Sequence, residues 1–177
     1  MKPNMLEQHC NILNCLTVLP RHILSLHDHN NISEFVLHDL CGSHCFNLGK
    51  AAYFVDNPDF NCFKGVAGFS RNEVSTDKKV WDDPETISQQ LNRSPFNQQV
   101  KNHTWQSLKT GPEEERKMAE KIAQDLGLEK PQFCTWNMKH DNHGWLIFER
   151  EENLDQDQQI NDYLSNGVHL LSFCPIT

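Results

Sequence analysis

Residues 51–69 read AAYFVDNPDFNCFKGVAGF, and this stretch decides the fold class. An apolar run rich in aromatic residues (51–55) precedes Asp56-Asn57-Pro58-Asp59, whose residue types favour a tight turn. A second run, residues 60–69, follows the turn. The pattern predicts a β-hairpin at the centre of a sheet.

Helical spacing of apolar residues, capping residues and first-turn prolines predict several helices around this hairpin. Pro20 is expected to end the first of them, and Gly42 the second. The predicted helices are residues 3–18, 32–40, 112–126 and 155–165, with two short helices after Asp83-Pro84 and Ser94-Pro95. The further predicted strands are residues 21–26, 133–138, 145–149 and 168–173. This order predicts one α+β domain, residues 1–177, with a mostly antiparallel sheet of about five strands packed on one face by several helices.

Charge and hydropathy exclude some classes of partner. The chain has 177 residues, a formal net charge of −8 and 23% charged residues. An acidic surface repels phosphate groups and anionic lipid, so we expect no nucleic-acid partner and no membrane partner. The apolar runs are too short to cross a bilayer, and residues 1–8 lack a signal-peptide pattern. We therefore expect a cytoplasmic protein, whose seven cysteines are kept reduced.

Histidines and cysteines concentrate in residues 22–45. His27 and His29 would point to the same side of an extended chain at the end of the predicted strand. Cys41 and His44 are separated by two residues, a spacing typical of zinc ligands. These four residues predict a zinc or iron site, as in a small metalloprotein or a metal-dependent hydrolase whose metal-bound water is the nucleophile. In the alternative interpretation they are ordinary polar residues of a loop and a helix end.

A second hypothesis for residues 22–45 is a catalytic thiol. Cys41 or Cys45 would act as a nucleophile, with a histidine as base and Asp39 or Asp28 orienting it. No cysteine-protease signature is present, so two helix-end thiols are the favoured interpretation. His22, His38 and Cys45 are left out of the metal set. Cys15, Cys62 and Cys174 adjoin apolar residues, which is typical of buried thiols that act as small hydrophobic side chains.

Three further segments have mainly structural interpretations. His140-Asp141-Asn142-His143 precedes Gly144 between two predicted strands, and these residue types favour a hairpin turn. Gly65 and Gly68 lie inside a predicted strand, where glycine marks a bulge or close backbone packing. The polar segment 70–111 predicts a mobile flap. In the alternative function, a non-catalytic interaction domain, this segment orders on a protein partner and its tryptophans supply the contact area.

Overall fold

The computed structural model describes residues 5–26, 28–75, 81–108, 111–151 and 157–176. Within these ranges the helices are α1 (Met5–Ser25), α2 (Ile32–Cys41), α3 (Pro84–Arg93), α4 (Pro95–Lys101), α5 (Pro112–Asp125) and α6 (Gln158–Gly167), followed by a 3₁₀ helix (Val168–Phe173). The strands are β1 (Leu48–Asn57), β2 (Cys62–Ser70), β3 (Thr104–Trp105), β4 (Gln132–Asn137) and β5 (His143–Arg150).

These strands form one five-stranded sheet in the order β3-β2-β1-β5-β4, and each neighbouring pair is antiparallel. The predicted hairpin is β1 and β2, and β1 is the central strand, paired with β2 on one side and β5 on the other. The α+β prediction with a mostly antiparallel sheet of about five strands is thereby confirmed.

Alternate residues of β1 enter two separate apolar cores. Tyr53 and Val55 face a core that also takes buried residues from α1, α2 and α6. Ala52 and Phe54 face a second core with residues from α4 and α5. Several helices therefore pack on one face, as predicted, and α4 and α5 cover the other face as well. Because both faces are covered, β1 is buried over residues 51–56.

Helix α4 lies directly against β2 because two positions of that strand are glycine. A Cβ atom on Gly65 would lie 1.9 Å from the carbonyl oxygen of Val100, and one on Gly68 would lie 2.7 Å from a methyl carbon of the same valine. The register of β1 and β2 also shifts between Tyr53 and Phe54, which marks a bulge in this pair of strands. The structural interpretation of these glycines is therefore confirmed.

The side chain of Asn97 in α4 completes this contact. Its Oδ1 accepts a 2.8 Å hydrogen bond from the backbone N–H of Gly68, where β2 has no partner strand on its outer edge. Its Nδ2 donates to the carbonyl of Leu91 at the end of α3 and to the carboxylate of Glu34 in α2. Asn97 and Glu34 are both buried, and Lys101 forms an ion pair with Glu34. One amide thus connects β2 with three helices.

Three predicted element boundaries or types are wrong. The predicted strand 21–26 belongs instead to α1, which continues past Pro20 to Ser25. Pro20 removes one backbone hydrogen bond, but Leu19 and Ile23 on either side of it are buried in the core, and this packing favours continuation. The predicted strand 168–173 is the 3₁₀ helix, in which Val168 and Leu171 are buried three residues apart.

The second hairpin follows the prediction closely. Residues between β4 and β5 form a tight turn, in which Met138 N donates to the carbonyl of Asn142. His140 and Asp141 have φ values of 59° and 55°, the left-handed conformation that a primed hairpin turn requires. The predicted turn is confirmed, and this conformation explains the Asp at position 141.

Segment 70–111 contains regular structure where it is described. Both short helices predicted after Asp83 and Ser94 form, and each of these residues accepts a backbone hydrogen bond as an N-cap. No helix among the described residues is long and apolar enough to span a membrane.

We expect Asn97→Ala to lower the free energy of unfolding by about 2–4 kcal/mol, because it leaves the buried N–H of Gly68 without its acceptor and removes one of the two partners of the buried Glu34. Chemical denaturation followed by circular dichroism measures this change. Asn102→Ala, at an exposed position at the end of the same helix, is the control and should change stability by less than about 0.5 kcal/mol. Equal effects of the two substitutions would contradict this role of Asn97.

Candidate functional site

The four predicted metal ligands have different surroundings. His27 lies outside the described residues. The ring of His29 packs against Phe35, with a centroid distance of 6.0 Å. Cys41 is completely buried, and burial raises the pKa of its thiol well above the usual range. His44 is exposed in the loop that follows α2. Among the described residues, no group of three or more His, Cys, Asp or Glu side chains is arranged to hold a metal ion.

His44 instead belongs to a cluster that the sequence did not predict. The thiol of Cys45 and the ring of His44 lie near the thiol of Cys15, on α1, and both lower its pKa. The Cys15 sulfur also lies 3.9 Å from the backbone carbonyl oxygen of Asp39, on α2. We call Cys15, His44 and Cys45 the thiol–imidazole cluster.

The loop after α2 presents His44 and Cys45 in different environments. Backbone hydrogen bonds from Cys45 and Asn47 to the carbonyl of Gly42 fold the loop tightly. This geometry buries Cys45 and leaves His44 at the surface. Arg71 fixes both ends of the loop, because it donates to the carbonyl of Cys41 and to the side chain of Asn47.

The ring of His44 lies over Gly42. A Cβ atom at this position would be 2.6 Å from the His44 Cε1 atom and 2.9 Å from its Nδ1 atom. Gly42 has φ −57° and ψ 151°, a conformation that alanine also adopts. The glycine is therefore needed for the position of the imidazole and not for the backbone.

Asp39 holds the side chains next to the cluster. Its Oδ2 accepts a 2.8 Å hydrogen bond from the indole N–H of Trp81, and its Oδ1 lies 3.3 Å from Nδ1 of His38. The Trp81 ring also packs against His22, with a centroid distance of 4.1 Å. The other ring nitrogen of His38 lies 3.1 Å from the Ser75 carbonyl oxygen. These contacts connect α1, α2 and the start of the segment before α3 beside the two thiols.

The surroundings of Cys15 favour its thiolate. The hydrogen bond with Cys45 and, more weakly, that with His44 lower the pKa of the Cys15 thiol from 9.0 to about 6, although burial opposes this change. The hydrogen bond with Cys15 is also the main reason that the pKa of His44 is raised. Burial raises the pKa of Cys45 well above its usual value. The arrangement therefore pairs a nucleophilic thiolate with a neutral thiol and with an imidazole whose protonated form is favoured.

The inner face of α1 carries the signal that sequence reasoning missed. Cys15 and His22 are seven residues apart and lie on the same helix face as Ile12, Leu19 and Ile23, which are buried. A helix that ends at residue 18 places His22 on the predicted strand and leaves Cys15 as one more apolar position. A helix continued to Ser25 places both residues opposite α2, which carries His38 and Asp39.

Comparison with protein-family models, with curated proteins and with solved structures found no match to this chain. What the site can do is therefore derived from its side chains. Two neighbouring thiols, one of them favoured as the thiolate, provide a nucleophile and a second sulfur that can form a disulfide with it.

Proposed function

We propose that this protein is a thiol-based redox-responsive domain, in which Cys15 is the reacting thiolate and Cys45 the resolving thiol. The observation that carries the proposal is the half-buried position of Cys15 near the Cys45 thiol and the His44 imidazole, both of which lower the pKa of its thiol. Cys15 is half-buried and Cys45 is buried, so an external reagent reaches Cys15 first. A reducing compartment such as the cytoplasm, which the sequence predicts, would keep both thiols reduced at rest.

The proposed reaction is exchange with a low-molecular-weight disulfide. The Cys15 thiolate attacks one sulfur of the reagent, so that a mixed disulfide forms and the first thiolate leaves. Cys45 loses its proton to the leaving thiolate or to water, attacks the Cys15 sulfur and releases the second thiol. Two protein thiols are thereby oxidised to one disulfide, and the reagent disulfide is reduced to two thiols. Protonation of the adjacent His44, which its raised pKa favours, stabilises the attacking thiolate.

The first prediction concerns the pH dependence of alkylation at Cys15. The lowered pKa of about 6 means that the thiolate is lost as the pH falls through 6 and dominates at pH 7. We expect the initial rate of iodoacetamide labelling at Cys15, measured by peptide mass spectrometry, to reach half its maximum near pH 6. In Cys45→Ala the largest contribution to this shift is lost, and the midpoint should rise. A wild-type midpoint near 9.0, the ordinary thiol value, would contradict the proposal.

The second prediction uses oxidised glutathione as the probe. We expect wild-type protein to form a Cys15–Cys45 disulfide, identified by tandem mass spectrometry of proteolytic fragments. Cys45→Ser should instead accumulate glutathione on Cys15, because no resolving thiol remains. Cys41→Ser is the matched control, since Cys41 is completely buried and its thiol pKa is raised. A glutathione adduct that persists on Cys15 in the wild type would refute the resolving role of Cys45.

The third prediction tests the position of His44. Gly42→Ala should displace the ring and slow labelling of Cys15 at pH 7 by about threefold to tenfold, because the thiolate loses the adjacent imidazole that favours it. Thermal unfolding should change less than labelling, since the two nearest atoms belong to an exposed, movable side chain and the Asp39 carbonyl oxygen, at 3.1 Å, requires only a small shift. Ser43→Ala, at the exposed neighbouring position, is the control. If Gly42→Ala labels as fast as the wild type, His44 has no influence on Cys15.

The zinc or iron site of His27, His29, Cys41 and His44 stays a prediction, and so does the interaction role of segment 70–111. Elemental analysis of purified protein separates the metal hypothesis from the proposed redox function. Near-stoichiometric zinc or iron that is lost in His29→Ala and His44→Ala would favour the metal site. A metal-free protein that forms the Cys15–Cys45 disulfide would favour the redox function.

A further inference from the structure

Helix α1 has a second apolar row on its outer face. The exposed residues of this row are Leu6, Cys10, Leu13, Thr17, Pro20 and Leu24. Their spacing alternates between four and three residues, which is the repeat of helices that pair along a seam. The leucines are accessible: Leu6 is 70% exposed, Leu13 45% and Leu24 76%. We call these six residues the α1 seam.

The α1 seam is distinct from the face that holds α1 in the fold. Ile12, Leu19 and Ile23 are buried on the inner face, where α1 packs against α2, α6 and the 3₁₀ helix. Leucines repeated at the coiled-coil spacing favour another helix with the same repeat as the partner. A second copy of this chain supplies such a helix.

The charges beside the seam specify the orientation. Glu7 and Arg21 are both exposed and flank the seam. Glu7 directly follows Leu6 and lies three residues before the next seam residue, as Arg21 lies three residues before Leu24. Both charged residues therefore occupy the same flanking position of the repeat. In antiparallel helix pairs, residues at this position lie beside one another across the seam. Within one helix the two charges are about 21 Å apart, because each residue adds about 1.5 Å.

We propose that two copies of this protein associate through antiparallel pairing of α1 along its seam. In this alignment Leu6 faces Leu24 of the second copy, Leu13 faces Thr17, and Cys10 faces Pro20. Glu7 then lies beside Arg21 of the second copy, and two-fold symmetry repeats each contact. The proposal is independent of the redox function, because the cluster cysteine Cys15 is on the inner face of the helix.

Analytical ultracentrifugation under reducing conditions, over about 1–100 µM protein, tests the association. We expect a reversible monomer–dimer equilibrium. Leu13→Ser should raise the dissociation constant about tenfold or more, since apolar residues near the centre of a contact contribute most of its free energy. Leu24→Ser should also weaken the dimer, because it removes the apolar contact with Leu6 at both ends of the seam. Phe60→Ser, at an 81% exposed position in the turn between β1 and β2, is the matched control. A monomer throughout this range, or equal weakening by Phe60→Ser, would overturn the proposal.

Charge exchange tests the orientation. Glu7→Arg should weaken the dimer, and the double variant Glu7→Arg, Arg21→Glu should restore it, because the pairs form again with their signs reversed. Native Cys10 gives a second readout. Antiparallel pairing keeps the two Cys10 residues about 15 Å apart along the axis, beyond the reach of a disulfide. Rapid Cys10–Cys10 crosslinking of the dimer by copper phenanthroline would indicate parallel pairing and contradict this alignment.

Discussion

The contact of α4 with the outer edge of β2 determines how the helices are arranged around the sheet. Strand β3 pairs with β2 only at Phe63 and Lys64, so the rest of that edge would be left with unpaired N–H groups. Asn97 and the carbonyl of His103 satisfy the N–H groups of Gly68 and Gly65 instead. Neither hydrogen bond would form with a side chain at the two glycines, because α4 would be pushed away from the strand.

This contact also reaches the candidate site through α2. Asn97 binds Glu34 in the first turn of α2, whereas Asp39 near its end holds Trp81 and lies beside His38. Helix α2 is buried along its whole length. It therefore holds the loop that carries His44 and Cys45 in a fixed position relative to α4. Reactivity at Cys15 depends on a scaffold that is fixed at both ends of this helix.

The sequence predicted the elements whose signals are local. Turn residues, capping residues and first-turn prolines identified both hairpins and the helices that begin at Pro84, Pro95 and Pro112. Prediction from the sequence failed where a distant contact overrides a local signal. Core packing continues α1 past Pro20, and burial around the α6 terminus favours a 3₁₀ helix at residues 168–173. The candidate site was missed for the same reason. His44 was identified from its spacing, but its neighbour Cys15 lies 29 positions earlier in the chain, and only tertiary packing brings them together.

Helix α1 connects the two proposals because it is apolar on two faces. A helix of a globular domain ordinarily has one apolar stripe toward the core and polar residues opposite. Here the inner face has such a stripe, and leucines at coiled-coil spacing occupy the outer face as well. A Cys15–Cys45 bond would close a loop of about thirty residues and stabilise the docked helix by about 3–4 kcal/mol in the chain-entropy description. That bond would lie at the inner face of α1, and the exposed leucines of the α1 seam would keep their places on the outer face.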